Sequence, residues 1–416
     1  MRDRDLYGQI LGVQKPWSVT DVQLALKEGE VVVRVEAEPT ATFLCPDCRK
    51  PAPRYDTRTR RWRHLPTCQY RTILEAEVPR IECGEHGVKQ VSVPWSEPGS
   101  QFTALFEALA IDWLKEASIA AVARELELSW DEVDGILARA VRRGLERRAL
   151  EVPKRIGVDE TSFQKRHEYV TVVSDLSNSR VLHVADDRTA ESLAGFYRKL
   201  SPQELDAIEV VAMDMAPPYL KATREHVPDA EQKIVFDKFH VAQHLSNAVN
   251  DVRKQENREL LEHGDRSLVG TKFLWLRRRD LPAPESRSSF RRLTRGLLKT
   301  ARAWGIKETA MSLWNYVRRG SAERGWKQWI SWALRSRLEP MRRVARMVRE
   351  HLTGILNAVI YRATNATSES VAAKIQKIKA RACGFRNREH FRNAILFHLG
   401  GLDLYPSQCR VTHTGS

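Results

Sequence analysis

The sequence predicts an α/β protein with a mixed-sheet core, interrupted by a helical insertion and preceded by a β-rich N-terminal region. Three observations predict this. Short alternating strands between residues 30 and 100 are punctuated by two pairs of metal-ligating side chains. A continuous helical stretch follows Ser100. Beyond Pro153 strands and helices succeed one another, and two of the apolar strands stop on aspartates.

The N-terminal strands are read from period-two alternation. In "EVVVRVEAE", Val31, Val33 and Val35 share a face, and "RTILEAEVPRIEC" and "VKQVSVPW" look similar. Between them stand Cys45-Pro-Asp-Cys48 and Cys83-Gly-Glu-His86. A tight turn aims both side chains of such a pair at one ion, and two pairs fill a tetrahedral site. Cys45, Cys48, Cys83 and His86 are therefore expected to hold one structural Zn²⁺. Cys68 could replace one ligand, but it has no partner at that spacing. Six cysteines in 416 residues do not make a disulfide scaffold.

"WSEPGS" reads as a linker, and "SIAAVARELELSWDEVDGILARAV" then has the cadence of a helix-turn-helix. Ile119, Val122 and Ala123 pack its first helix, and the turn falls near Leu126 to Leu128. Ser129 and Glu132 have capping-box spacing. Val133, Ile136 and Leu137 pack the second helix down. A plain helical hairpin would share this spacing. The string Arg139, Arg142, Arg143, Arg147, Arg148 favours DNA, with Arg139, Arg142 and Arg143 expected as phosphate contacts.

Strands are then expected at 155–159, 169–175 and 180–185, followed by the helix "TAESLAGFYRKL", the strand "IEVVAMDM", a helix, and the strand "QKIVFDKFH". Three strands, a helix, a strand, a helix and a strand describe an RNase H-like core. Ligand sites of open α/β sheets gather at strand ends, where the backbone leaves the core. Asp159 and Asp214 end the first and fourth strands, which are neighbours in that order. Two unpaired anions at close range repel unless a divalent cation lies between them. Hard oxygen donors suit Mg²⁺ or Mn²⁺. Pairing with arginines or capping of helices would be the plain alternative. Glu160 follows Asp159, and alternation points it away into a supporting or salt-bridged position.

The segment "SESVAAKIQKIKARA" reads as a helix beginning near Ser368. At 100° per residue, Val371, Ile375, Ile378 and Ala382 form a packing face. Lys374, Lys377 and Arg381 form a basic stripe suited to a phosphate backbone, with Glu369 beside it in the first turn.

Four motifs now stand in order: "IGVDETSFQKRHEYVTVVSDL", "VVAMDMAPPYLKATREHVPDAE", "IVFDKFHVAQHL" and "NATSESVAAKIQKIKARACGFRN". With "CPDC" and "CGEHGV" they resemble DDE transposases of bacterial insertion sequences, of the ISL-three type, over nearly the whole chain. The resemblance implies an Mg²⁺-dependent DNA strand-transfer enzyme. It would cleave DNA at its element's ends and join the 3′ ends to target DNA, with two Mg²⁺ (or Mn²⁺) ions in one site. Asp159, Asp214 and Glu369 match the triad. Asp237 and His240 match the Asp-x-x-His signature, and His240 either contacts the scissile phosphate or serves the structure. Ala372 departs from the family, which often has Asn there. Implied partners are double-stranded DNA, as terminal inverted repeats and target, and further copies of the chain, as a homodimer or higher assembly on DNA. A bacterial cytoplasmic, nucleoid-associated location without a membrane partner follows, and no apolar run approaches the roughly 20 residues of a membrane span.

The net charge is +15, and residues 251–350 hold 25 Lys and Arg against 11 Asp and Glu. An excess so concentrated suggests a polyanionic partner. The same region holds Trp275, Trp304, Trp314, Trp326, Trp329 and Trp332, whose helical spacing says core first and base stacking second. The expected domains are 1–100, β-rich and zinc-binding; 101–152, helix-turn-helix; 153–250, the first part of the core; 251–355, a basic helical insertion; and 356–416, the last catalytic helix and C-terminal segment. A DNA-binding regulator that has lost catalysis would share the knuckles, the helix-turn-helix and the basic patch. A structure-selective nuclease on the same core would cut without joining.

Overall fold

The computed structural model describes residues 3–149, 153–164, 168–276, 290, 293–294, 298–361 and 366–409. They form two compact units, 1–149 with 381–416, and 150–380. Residues 150–152, where the sequence places a domain boundary, lie outside the described residues. Among the described residues no helix is long and apolar enough to cross a membrane.

The first unit opens with helix α1 (Asp3–Ile10) and strands β1 (Trp17–Ala25), β2 (Glu30–Ala37), β3 (Phe43–Leu44), β4 (Pro51–Ala52), β5 (Arg54–Thr67), β6 (Tyr70–Cys83) and β7 (Gly87–Gln90). The main sheet runs β1-β2-β6-β5, with β7 also beside β6. Val31, Val33 and Val35 are buried, as their alternation requires. Trp62 and Trp95 meet edge to face, as do Trp17 and Trp95, around the same core. The strands β1 and β5 are not among those read from the sequence.

Helices α2 (Ala104–Glu116), α3 (Ile119–Glu125) and α4 (Trp130–Arg147) complete the helix-turn-helix. Glu127 takes a left-handed turn conformation between α3 and α4. Ser129 and Glu132 form the expected capping box. The helix at Arg388–Leu399 and the segment after it also belong to this unit, packing against α4. His64, at the end of β5, is buried, with Nδ1 2.8 Å from Thr103 Oγ1. Burial pushes its imidazole down to about 4. A neutral ring is what the fold accommodates, whereas an unfolded histidine titrates near 6.5. The resulting stabilisation is whole above that value and is lost as pH falls toward 4, about 3 kcal/mol in all. His64→Gln should flatten the acid limb of stability against pH; an acid limb unchanged by the substitution would contradict this.

The second unit holds the core sheet: β8 (Arg155–Gln164), β9 (Glu168–Asp175), β10 (Arg180–Ala185), β11 (Val210–Met213) and β12 (Ile234–Phe236). Its order is β10-β9-β8-β11-β12. The first three strands are antiparallel, while β8, β11 and β12 run parallel. This is the RNase H-like order. Helices α5 (Ala190–Tyr197), α6 (Pro202–Ala207), α7 (Pro217–His226) and α8 (Ala230–Lys233) connect the later strands, and the 25-residue α9 (Lys238–Glu262) leads out of the sheet.

In its described residues the insertion is helical, with α10 (Lys272–Leu276) followed by helices at Lys299–Leu313, Arg319–Arg335, Glu339–Glu350 and Leu352–Tyr361. Its apolar core is continuous with that of the sheet. Trp275, Trp326 and Trp329 are buried in it, which settles their role as packing. Trp304 and Trp314 pack against that core, and Trp332 is exposed. Glu256 of α9 accepts from the Lys299 and Thr300 N–H groups, satisfying donors at the start of the next helix. The Leu352–Tyr361 helix lies so tight on β12 that a Cβ at Gly354 would sit 2.4 Å from the Phe236 ring.

Candidate active site and metal knuckle

The metal knuckle is built by two turns. The hairpin β3–β4 carries Cys45 and Cys48, where Cys45 N donates to Lys50 O and Arg49 N to Cys45 O. Cys83 ends β6, and Cys83 pairs with Gly87 across the turn that holds His86. The four ligand atoms lie within 4.8 Å of one another. Cys48 and Cys83 sulfurs are 3.7 Å apart, and His86 Nδ1 is 3.6 Å from Cys83 Sγ and 3.8 Å from Cys45 Sγ. A tetrahedron with Zn–S of about 2.3 Å and Zn–N of about 2.0–2.1 Å has edges of roughly 3.6–3.8 Å. His86 beside Cys83 pulls that thiol down to about 6, the direction a thiolate ligand needs. Cys68 is exposed in the β5–β6 turn and is outside the set.

The candidate acids are placed by strand register. Ala212 pairs with Gly157, and Met213 with Phe236. Continuing that register puts Asp159, Asp214 and Asp237 level across three parallel neighbours. Parallel strands lie roughly 4.8 Å apart. One strand-end expectation needs correcting. The strand β8 does not stop at Asp159 but runs on to Gln164, because β9 keeps pairing with it, Asp159 opposite Val172. What ends near Asp159 is the pairing with β11, which stops at Gly157.

Each aspartate is oriented by a backbone N–H close to it in sequence. Asp159 Oδ1 accepts from Glu160 N at 2.8 Å, Asp214 Oδ1 from Ala216 N at 3.0 Å, and Asp237 Oδ1 from Phe239 N at 2.9 Å. Burial pushes the Asp159 carboxyl above the usual range; the Glu160 N–H and His240 oppose this, while Asp214 and Asp237 add to it. These groups therefore share one electrostatic neighbourhood. Asp237 also caps α9, which gives it a structural duty. Glu160 is salt-bridged to Arg188, and Arg188 reaches Asp214 at 3.9 Å. Sequence reasoning missed Arg188. Its only signal was a basic residue just before the helix-capping Thr189 in "DDRTAES".

Glu369 lies in the first turn of the Ala366–Arg381 helix and is exposed. That helix is tied to β8 two turns further on. Gln376 donates to Thr161 Oγ1 at 3.0 Å and Lys379 to Ser162 O at 2.8 Å. Val371 and Ile375 are buried and Lys374 and Lys377 exposed, as the helical phase expects, but Ala382 is exposed because the helix ends at Arg381. Arg381 donates to Lys115 O. Among the described residues, the Cys/His knuckle is the sole set of three or more ligand atoms within 4.8 Å. Glu369 is thus on the element that borders β8, without being drawn onto the aspartates.

The helix-turn-helix arginines need a second correction. Arg143 is buried, forming ion pairs with Glu97 at 2.6 Å and Glu107 at 2.9 Å, and donating to Leu404 O. Arg139 pairs with the same Glu107 at 2.7 Å. Arg147 holds Tyr405 O and Ser407. Guanidinium groups so engaged hold the helices and the C-terminal segment together and do not face a duplex. Arg142 is the one of the three expected contacts that is exposed. Arg143→Ala should destabilise the protein by about 3 kcal/mol or more, because it unbalances the buried Glu107. Melting of the variant would show this loss, and a melt equal to wild type would contradict it.

Comparison with known proteins agrees with this layout. A transposase family of type ISL3 matches residues 156–395, the helix-turn-helix domain of transposase family ISL3 matches 91–141, and the zinc-finger of transposase IS204/IS1001/IS1096/IS1165 matches 41–86. The chain is 27% identical to the transposase for insertion sequence element IS1001 of Bordetella parapertussis, covering 94% of this chain and 97% of the relative. It is 27% identical to the transposase for IS1557 of Mycobacterium tuberculosis, covering 96% of each. The catalytic match alone spans more than half of the sequence, with the zinc-finger and helix-turn-helix preceding it in the same order, and so the chain belongs to the ISL3 family of insertion-sequence transposases.

Proposed function

We propose that the protein cleaves DNA at the ends of its insertion sequence and joins the freed 3′ ends to target DNA, with Asp159, Asp214 and Glu369 as the metal-holding carboxylates. The observation that carries this is the register that sets Asp159 beside Asp214, next to the strand to which the Glu369 helix is tied. The donor set fits Mg²⁺ or Mn²⁺. It is made of hard carboxylate oxygens: Asp159 and Asp214 each commit Oδ1 to a backbone N–H, and the Asp214 Oδ2 faces Arg188 only at 3.9 Å. When bound, such a cation neutralises charge on the attacked phosphate and makes a bound hydroxyl more acidic.

The chain's own groups position the substrate. The backbone N–H groups of Glu160 and Ala216 fix the two aspartates before DNA arrives. Arg188 offsets Glu160 and Asp214, lowering the cost of gathering carboxylates. Lys374 and Lys377 lie exposed on the Glu369 helix, where they would pair with phosphates flanking the cut. His240, partly exposed beside Asp159, would donate a ring N–H to the scissile phosphate. In cleavage, water attacks and a 3′-OH leaves. In joining, that 3′-OH attacks a target phosphodiester and the target's 3′ oxygen leaves, so one P–O bond replaces another. A terminal-repeat duplex incubated with protein and Mg²⁺ should give nicked ends at the repeat boundary and joined products. Binding without any cut product would favour a regulator instead.

A further inference from the structure

With Arg139, Arg143 and Arg147 of the helix-turn-helix committed internally, a second concentration of positive charge in the first unit stands out. From Arg54 to Arg63 strand β5 carries five arginines and one aspartate. It is the terminal strand of its sheet, and it is exposed from residue 54 to 61 apart from a half-buried Asp56. Its far end is covered, since Arg63 O accepts from Thr103 N and Arg63 N donates to Gln101 O. The nearby acids are already paired. Asp56 is held by Arg80, Glu75 pairs with Arg61 and Arg34, and Glu77 accepts from Thr57 and Thr59. That leaves three guanidinium groups without an ion pair among the described residues, Arg58 sensing Asp56 only at longer range. Arg58 makes no hydrogen bond or ion pair among the described residues. Arg60 meets only the neutral Gln90 amide oxygen, and Arg54 only backbone carbonyls and the face of Phe43.

We infer that β5 is a phosphate-binding ridge for double-stranded DNA, with Arg54, Arg58 and Arg60 as its contacts. Arg58 and Arg60 share one face of the strand, about 6.8 Å apart. Planar guanidinium forks suit phosphate oxygens. The ridge begins two residues after β4, so the zinc-bearing hairpin β3–β4 fixes its starting point. Charged edge strands also discourage pairing with another chain, and the experiment separates that duty from binding.

The inference rests on the protein being a DNA-binding transposase, and its test can fail separately. Arg58→Ala/Arg60→Ala would be compared with wild type for binding to a terminal-repeat duplex and to an unrelated duplex across a salt series. Zinc content and melting should match wild type, since both side chains are exposed. The slope of log affinity against log salt should fall by about 1.8, roughly 0.9 for each lost phosphate contact, and on both duplexes alike. Arg58→Glu/Arg60→Glu should weaken binding further. Wild-type binding with an unchanged slope in the variants would overturn the ridge while leaving the transposase reading intact. A new dimer in the variants with an unchanged slope would also overturn it, making the arginines a guard against edge pairing. Loss of cutting by the alanine variant under saturating DNA would count against it too, because the ridge acts in binding.

Discussion

Cys48→Ser is expected to release the zinc and unfold the knuckle, the largest stability effect in the molecule. The serine hydroxyl is a poor ligand for a site that needs thiolates. Structural Zn²⁺ contributes on the order of 10 kcal/mol to small metal-ordered domains, because the site does not pre-exist in the unfolded chain. Here the hairpin β3–β4 is two residues on each strand, and besides the ion it is held by the packing of Phe43 and Cys45 against the sheet core and by exposed pairs such as Lys50 with Glu85 and Asp47 with Lys89. Metal analysis should give about one zinc per wild-type chain and close to none in the variant. Amide exchange should rise across 43–52 and 83–90 while β8 to β12 keep their protection, because the second unit has its own core. DNA binding should weaken as well. Wild-type protein purified without chelator that holds no zinc would contradict the assignment.

Some of this architecture was legible in the sequence and some was hidden, for physical reasons. The zinc ligands were legible because two-residue spacing at strand ends has few other uses. The capping box at Ser129 and Glu132 was legible because it is local chemistry. The core strands showed as apolar runs, since strands buried on both faces carry little else. Strand β5 was hidden: its arginines swamp the alternation, and only Trp62 and His64 are buried on it. The length of β8 was also hidden. The residues after Asp159 are polar, and what extends the strand is pairing with β9, a tertiary fact. The fates of Arg139 and Arg143 could not be read at all. A basic string on a helix looks the same whether it meets phosphates or the buried Glu107 and half-buried Glu97, which lie 32 to 46 residues back in the chain. The exposed Trp332 and the buried Trp326 carry the same letter, and only packing separates them.

The second large effect belongs to the carboxylates. Asp159→Asn, Asp214→Asn and Glu369→Gln should each abolish cleavage and joining together, since one set of ligands would serve both steps. Loss of one ligand at a metal that stabilises the attacked phosphate should cost about 4 kcal/mol, or roughly a thousandfold in rate. End-binding should persist, because none of the three side chains carries positive charge to phosphate. In metal-free protein the melt of Asp159→Asn should equal or exceed wild type. The substitution removes a half-buried anion that faces Asp214 and Asp237. Asp237→Asn is the informative control. Asp237 stands in the same register as the other two aspartates but serves α9 as its cap, a duty that the Asn side-chain oxygen keeps, so this substitution should leave both the melt and end-binding close to wild type.

The most direct test of the proposed site is strand cleavage of a terminal-repeat duplex by Glu369→Gln, with gel shift run on the same preparation. The account predicts wild-type binding and no cut or joined product. Cleavage at the wild-type rate by Glu369→Gln, together with none by Asp237→Asn, would contradict it and give the third carboxylate to Asp237.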